Sequence, residues 1–268
     1  MWLNGIPIWR SLTLPLVAGL LAVCVGTASA DPGVSSADAL SQEDIARERE
    51  ALLQLMSAAR SPVASVAVEI DVTGAATLGA AEAPVVLVEF ADYECGFCRR
   101  HQFTVMPPLI EEYLDTGRVQ YVFLEFPAVD RNPQALSAAN AARCAGDQGK
   151  YQEMRESLYR NPYSLDAAGL VAQGNALGLE LAAYTACIEA FAHEETIRAH
   201  MALGQQLGVR GTPFFFLGQP GDDDGRVHVH RRIAGAQPLE LFRTEIDVAL
   251  KAQGTLPPHA GGLSQGPR

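Results

Sequence analysis

The stretch from Val85 to Cys98 constrains this chain more than any other. Val85, Val86, Leu87, Val88 and Phe90 form an apolar, largely β-branched run, the pattern of a strand buried on both faces. The run breaks at Ala91, Asp92 and Tyr93, and a helical pattern begins at Cys95, with Cys98 one turn further on. A thiol at a helix start meets unpaired backbone N–H groups and the positive end of the helix dipole. Both favour the thiolate, so such a thiol titrates at roughly 3.5 to 7.5 instead of about 8.5. This reading makes Cys95 the exposed, attacking sulfur and Cys98 the covered, resolving one. Glu89 lies inside the apolar strand, six residues before Cys95. An ionised carboxylate there is costly unless paired or protonated. It either points to a solvated edge or lies buried beneath the cysteines, passing a proton to and from Cys98. Its apolar neighbours favour the buried acid.

The Cys-Gly-Phe-Cys motif, the strand acid upstream and Gly211-Thr212-Pro213 before a hydrophobic strand together resemble the thioredoxin superfamily. The wording Val-Glu-Phe-Ala-Asp-Tyr-Glu-Cys is similar to the DsbA-like thiol–disulfide oxidoreductases within it. The resemblance runs from about residue 66 to 253. It implies an α/β, thioredoxin-like fold with a helical insertion, and dithiol–disulfide exchange at Cys95 and Cys98. It also implies a cis Thr212–Pro213 loop that faces the dithiol and pairs with the substrate backbone as an added strand. From the residues alone, a trans prolyl bond starting a strand is the commoner arrangement. The dipeptide between the cysteines is Gly96-Phe97, with no histidine to add a cation beside the thiolate. The couple is therefore expected between about −270 mV, the thioredoxin value, and about −120 mV, the DsbA value. No cofactor is expected.

A net charge of −11 argues against nucleic acid or an anionic membrane surface as partner. A hydrophobic content of 48% is ample for a core without a disulfide framework. Residues 1–30 read as an export signal: Arg10, an uncharged apolar run from Leu12 to Val25, then Ala28-Ser29-Ala30 before Asp31. An uncleaved anchor is the alternative, since Ser11 to Ala30 is just long enough to span a bilayer. Pro15 and Gly19 interrupt the run and favour cleavage, and Val23 is too large for the position before a lipidated Cys24. Export to a periplasmic or extracellular space implies oxidising conditions. Without Cys24, four of the five cysteines remain: the Cys95–Cys98 couple, redox-active as dithiol or disulfide, and Cys144 with Cys187. The latter two are either separate buried thiols or a structural disulfide stabilising by roughly 3 to 4 kcal/mol on the chain-entropy model.

Residues 31–64 form an N-terminal extension. It carries an amphipathic helix capped by Ser41 and Asp44, with Ile45, Leu52, Leu53 and Met56 at helical spacing to about Arg60. The thioredoxin-like domain covers residues 65–253. Its elements are a strand over 65–72, a turn region over 73–84, the strand 85–90, a helix over 97–114 kinked at Met106-Pro107-Pro108, and a strand over 119–126. The helical insertion, about 132–208, holds segments at 133–145, 151–160, 164–177, 181–190 and 194–207. A hairpin of 214–217 and 227–233 follows, then a helix over 238–252 and a disordered Gly- and Pro-rich tail over 254–268.

A zinc site is the competing reading of Cys95 and Cys98, but no second Cys-x-x-Cys or His pair stands at matching spacing. Arg99, Arg100 and His101 read as a solvated helix face, and Glu94 as solvent-directed. Glu125 is a second candidate buried acid. His228 and His230 read as one exposed strand face, and Tyr151, Met154, Leu158 and Tyr159 as core. The expected function is thiol–disulfide exchange on cysteines of exported proteins, with a redox partner in the membrane to reset the active site. An isomerase or reductase, which dimerisation through the N-terminal helix would favour, is the first alternative; a chaperone or a copper-binding module using Cys95 and Cys98 is the second.

Overall fold

The computed structural model describes residues 41–222 and 225–254. The proposed export signal and nearly all of the C-terminal tail lie outside these residues. The chain divides into two units at residues 53 and 54, inside helix α1, Gln42–Arg60, which is described by itself. Its N-terminus closes as a capping box: the Asp44 amide donates to Ser41 Oγ at 3.1 Å and the Ser41 amide to Asp44 Oδ2 at 3.3 Å.

The main unit is built on a six-stranded mixed sheet. Its strands are β1 Val63–Asp71, β2 Ala76–Leu78, β3 Val85–Ala91, β4 Val119–Glu125, β5 Phe214–Pro220 and β6 Arg226–Ala234. Their order across the sheet is β1-β6-β5-β3-β4-β2. The apolar runs at 85–91 and 119–125 pair in parallel, and β5 adds to β3 antiparallel. β2 lies inside the stretch expected to be only a turn. Three residues of it pair with Tyr121–Phe123 and close the β4 edge; a strand this short carries too little pattern to stand out among Gly and Ala.

Side chains alternate across a strand, which sorts the core. Val85, Leu87, Tyr121 and Phe123 face one layer, with Met106, Leu109, Phe242 and Ile246 from the covering helices. Val86, Val88, Phe90, Val122 and Leu124 face the other, with Leu203 and Leu207. By this parity Glu89 and Tyr121 share the first face.

The first layer is formed by α2 Gly96–Thr104, α3 Met106–Leu109, a π-helical turn Ile110–Leu114, and α9 Leu239–Ala252. The expected continuous, kinked helix is broken at Val105. Pro107 and Pro108 sit in the first turn of α3, where a missing N–H has no partner to lose. The insertion comprises α4 Ala135–Gly146, α5 Tyr151–Arg160, α6 Ala167–Ala176, α7 Leu181–Glu189 and α8 Glu194–Gln206. It has a core of its own, built from small and aromatic residues such as Ala138, Ala142, Leu158, Tyr159 and Tyr184, and this core also takes in Tyr93 and Cys98. Cys144 and Cys187 form a disulfide between α4 and α7. Gly204 of α8 lies so close to the sheet that an added Cβ would stand 2.5 Å from Phe126. Among the described residues, no helix is long and apolar enough to cross a membrane.

Candidate active site

Cys95 is the residue that caps α2, with φ −80° and ψ 114°. Its amide donates to the Asp92 carbonyl at 3.1 Å, so the turn after β3 delivers the sulfur directly over the helix start. Asp92 is itself buried and ties the loop down. Its carboxylate accepts from the amides of Glu94 (2.9 Å) and Ala128 (3.0 Å) and from Asn132 Nδ2 (3.3 Å). Cys95 is half-buried and Cys98 fully buried, and both are free thiols.

The Thr212–Pro213 bond is cis. Cys95 Sγ donates to the Thr212 carbonyl at 3.2 Å across a separation of 117 residues. The loop and the cysteine pair therefore face each other. The Pro213 carbonyl accepts from the Gly235 amide at 3.0 Å, anchoring the loop to the end of β6. Phe97, between the cysteines, is 60% exposed with the Arg100 guanidinium stacked on its ring. A cavity of about 160 Å³ opens beside Thr212, lined by Phe126, Val129, Met201 and Arg210 among others.

The two sulfurs are driven apart in acidity. A hydrogen bond from Cys98 pulls the Cys95 thiol down from 9.0 to about 6, with help from the Thr212 side chain and the backbone amides of Cys98 and Phe97; burial opposes. Cys98 moves the other way, pushed up by burial, by its bond to Cys95 and by the Glu89 charge. An anion is thus prepared at the surface and a proton held beneath it. Thiolate absorbance at 240 nm should titrate near pH 6 in the reduced protein and vanish in Cys95→Ser. Since this pKa lies below the unfolded value, the thiolate stabilises the reduced fold fully above pH 9 and ceases to as pH falls through about 6. A single titration near 9 would show that the helix start does not activate the thiol.

Glu89 is fully buried, and its Oε2 pairs with Arg155 Nη2 of α5 at 2.6 Å. Burial raises its pKa, the nearby Cys95 thiolate adds to this, and Arg155 and the Tyr121 hydroxyl oppose. Its Oε1 has no hydrogen-bond partner. The Arg155 guanidinium lies 4.2 Å from the Phe123 ring and donates to Gln102 Oε1. Sequence reading passed over Arg155, although its spacing from Tyr151, Leu158 and Tyr159 puts it on the buried stripe of α5.

Glu125 is also buried. Burial raises its pKa, but His200 Nδ1 at 2.7 Å and Arg143 Nε at 3.0 Å outweigh that and hold it at about 2. Tyr151 donates to it at 2.9 Å and receives a hydrogen bond from Tyr93 at 3.2 Å, so this cluster reaches to within two residues of Cys95. Two expectations fail here. Glu94 does not turn to solvent: burial and the Asp92 carboxylate raise its pKa, and the amides of Gln134 and Ala135 at the start of α4 face it. His101 is not on a solvated face but is fully buried, because it stands three residues after Cys98 on the inward side of α2. His228 and His230 lie partly exposed on one strand face, and Met154, Leu158 and Tyr159 are core. Cys144, Cys187 and His193 come close enough to share an ion, but both sulfurs are bonded to each other.

Residues 71–223, more than half of the chain, match the family model described as thioredoxin. The chain is 38% identical over 85 residues to a probable disulfide bond formation protein D of Bacillus cereus, covering 32% of this chain and 39% of that one. It is 32% identical over 151 residues to the Na(+)/H(+) antiporter NhaA 1 of Salinispora arenicola, 56% of this chain. The chain spans only 22% of that antiporter's length. Among solved structures, Wolbachia pipientis alpha-DsbA1 superposes with a TM-score of 0.59 at 27% identity, covering 69% of this chain and 96% of that one. A buried strand running into a capping cysteine, a cis-proline loop across from it, and a helical insertion between the two halves of the sheet agree with that match: the chain belongs to the thioredoxin family, as a DsbA-like member.

Proposed function

We propose that this chain is a thiol–disulfide oxidoreductase acting on cysteine pairs of exported proteins. One observation carries the reading: a half-exposed Cys95 sulfur at a helix start, facing the Thr212–Pro213 loop, with its pKa lowered and the fully buried Cys98 thiol behind it with its pKa raised. In the oxidising direction a substrate thiolate attacks Cys95 of the Cys95–Cys98 disulfide. The S–S bond breaks, Cys98 leaves and takes up a proton, and the substrate is held as a mixed disulfide on Cys95. The second substrate thiolate attacks the substrate sulfur of that bond, and Cys95 leaves as the stabilised anion. Two electrons pass from the substrate to the couple, and a disulfide-bearing redox partner in the membrane would take them on. The low pKa of Cys95 favours it as leaving group. Glu89 acts as the base and acid for Cys98, and Thr212–Pro213 with the adjoining cavity receives the substrate chain. Export through residues 1–30 to a periplasmic or extracellular space belongs to this proposal; dimerisation through α1 belongs to the isomerase or reductase alternative.

The oxidised protein should restore activity to a reduced, unfolded disulfide-containing enzyme, and Cys95→Ser should lose that effect. The potential against glutathione should fall between about −270 and −120 mV. A value near the lower end favours the reductase or isomerase reading, and full activity of Cys95→Ser would refute the enzyme altogether.

A further inference from the structure

His101 and Tyr121 are fully buried and lie against the redox site without a part in the exchange described above. Tyr121 of β4 shares a sheet face with Glu89, one register step away: Leu87 pairs with Tyr121 and Glu89 with Phe123. His101 Nε2 stands 3.0 Å from the Tyr121 hydroxyl. The His101 ring is enclosed by Phe215 and Phe242, with centroids at 4.7 and 5.1 Å. Burial, with the Arg155 charge added, pulls its pKa to about 3, so it is neutral and carries one N–H. Nδ1 has no partner. A proton there would be a stranded buried donor; a proton on Nε2 has Tyr121 to meet it. With Nε2–H donating to the Tyr121 oxygen, the hydroxyl proton is free to turn toward Glu89, whose Oε1 has no other partner. The titratable and charged groups coupled to Glu89 include Arg155 and Tyr159 from α5, Cys95 and Cys98 from the active-site turn, and Tyr121 from β4.

We propose that His101 and Tyr121 are positioning residues for Cys98: their hydrogen bond turns the Tyr121 hydroxyl toward Glu89 and keeps that carboxylate ionised and ready to accept the Cys98 proton. The inference rests on the proposed role of Glu89 as the base for Cys98. Arg155 alone satisfies one oxygen of the acid, in a setting where burial favours the neutral form. A second donor, on the Oε1 that Arg155 leaves unpartnered, tips the balance toward the base that resolution requires.

The test follows Cys98 and not overall turnover. Reduced protein is loaded with glutathione on Cys95, and the release of glutathione by Cys98 is timed against pH. Tyr121→Phe keeps the ring and removes the hydroxyl. The release profile should move up by about one pH unit, making release about tenfold slower below its midpoint. The Cys95 titration at 240 nm should stay in place. His101→Leu should reproduce the shift, and gives the same readout if Tyr121→Phe does not fold. His101→Gln, which keeps a donor at similar reach, should restore the profile. In a Glu89→Gln background, Tyr121→Phe should add nothing. If Tyr121→Phe and His101→Leu lower Tm but leave the profile unmoved while Glu89→Gln changes it, the pair is only structural and the inference falls. If Glu89→Gln itself leaves release unchanged, the assignment of Glu89 as base falls with it.

Discussion

Cys98→Ala protein given glutathione disulfide will collect one glutathione on Cys95 and let it go at least about a thousandfold more slowly than the unsubstituted chain. The first bond exchange needs only the Cys95 anion, and part of what favours that anion survives: the Thr212 side chain and the Phe97 and Cys98 backbone amides. Losing the Cys98 hydrogen bond moves the Cys95 pKa up, since that bond is its largest support, so capture will need a somewhat higher pH. The second exchange needs a thiol already in place. Cys98 is buried directly behind Cys95 and so acts at an effective concentration far above the millimolar level of any thiol in solution. Mass spectrometry of the intact protein reads the adduct, and peptide mapping places it on Cys95. The mirror variant, Cys95→Ala, should give no adduct at neutral pH, because the Cys98 thiol is both covered and pushed up in pKa. An adduct on Cys98, or rapid release from Cys98→Ala, would reverse the roles assigned to the two sulfurs.

Arg155→Met will destabilise the fold by about 3–5 kcal/mol, the cost of leaving one member of a buried ion pair alone. At about 2–4 °C per kcal/mol for a domain of this size, Tm should fall by about 6–20 °C. Arg155 is 1% exposed and its partner Glu89 not at all, so no water is at hand to solvate the orphaned carboxylate. The variant also gives up the cation–π contacts with Phe123 and Tyr159 and the hydrogen bond to Gln102. Glu89 will answer partly by taking a proton, so the loss should be smaller at low pH. Adding Glu89→Leu should recover most of the stability, because an apolar pair of similar volume serves a core as well as an ion pair. The double variant should nonetheless release mixed disulfides slowly, having lost the base. Denaturation midpoints across pH for the single and double variants decide the matter. A double variant no more stable than Arg155→Met would show that the arginine matters for packing and not for charge.

The parts of this site readable from sequence are those that a local pattern carries. A β-branched run ending in a turn gives β3, the helical start gives Cys95 its cap position, and Gly and Pro mark the insertion helices to within a few residues. What escaped is what the tertiary fold decides. In the polar-looking helix Tyr-Gln-Glu-Met-Arg-Glu-Ser-Leu-Tyr-Arg, Arg155 stands between Met154 and Glu156. Only helical spacing, not composition, separates the buried arginine from the exposed one at 160. His101 follows two arginines that do reach the surface, and its burial shows only when the helix is wound from Cys98. Glu94 looked solvated because the helix start that faces it lies forty residues further along the chain. The pairing of Cys144 with Cys187 has no local signal at all; parity and the expectation of export suggested it, and packing of α4 against α7 supplies the contact.

Because the counter-ion of the strand carboxylate rides on α5, the insertion is not a detachable module. Grafting the residues between β4 and β5 from one relative onto the sheet of another would exchange the electrostatic partner of Glu89 along with the outer surface. A chimera made to study recognition would arrive with a retuned proton acceptor, and its altered turnover would be misread as altered specificity unless position 155 were held fixed.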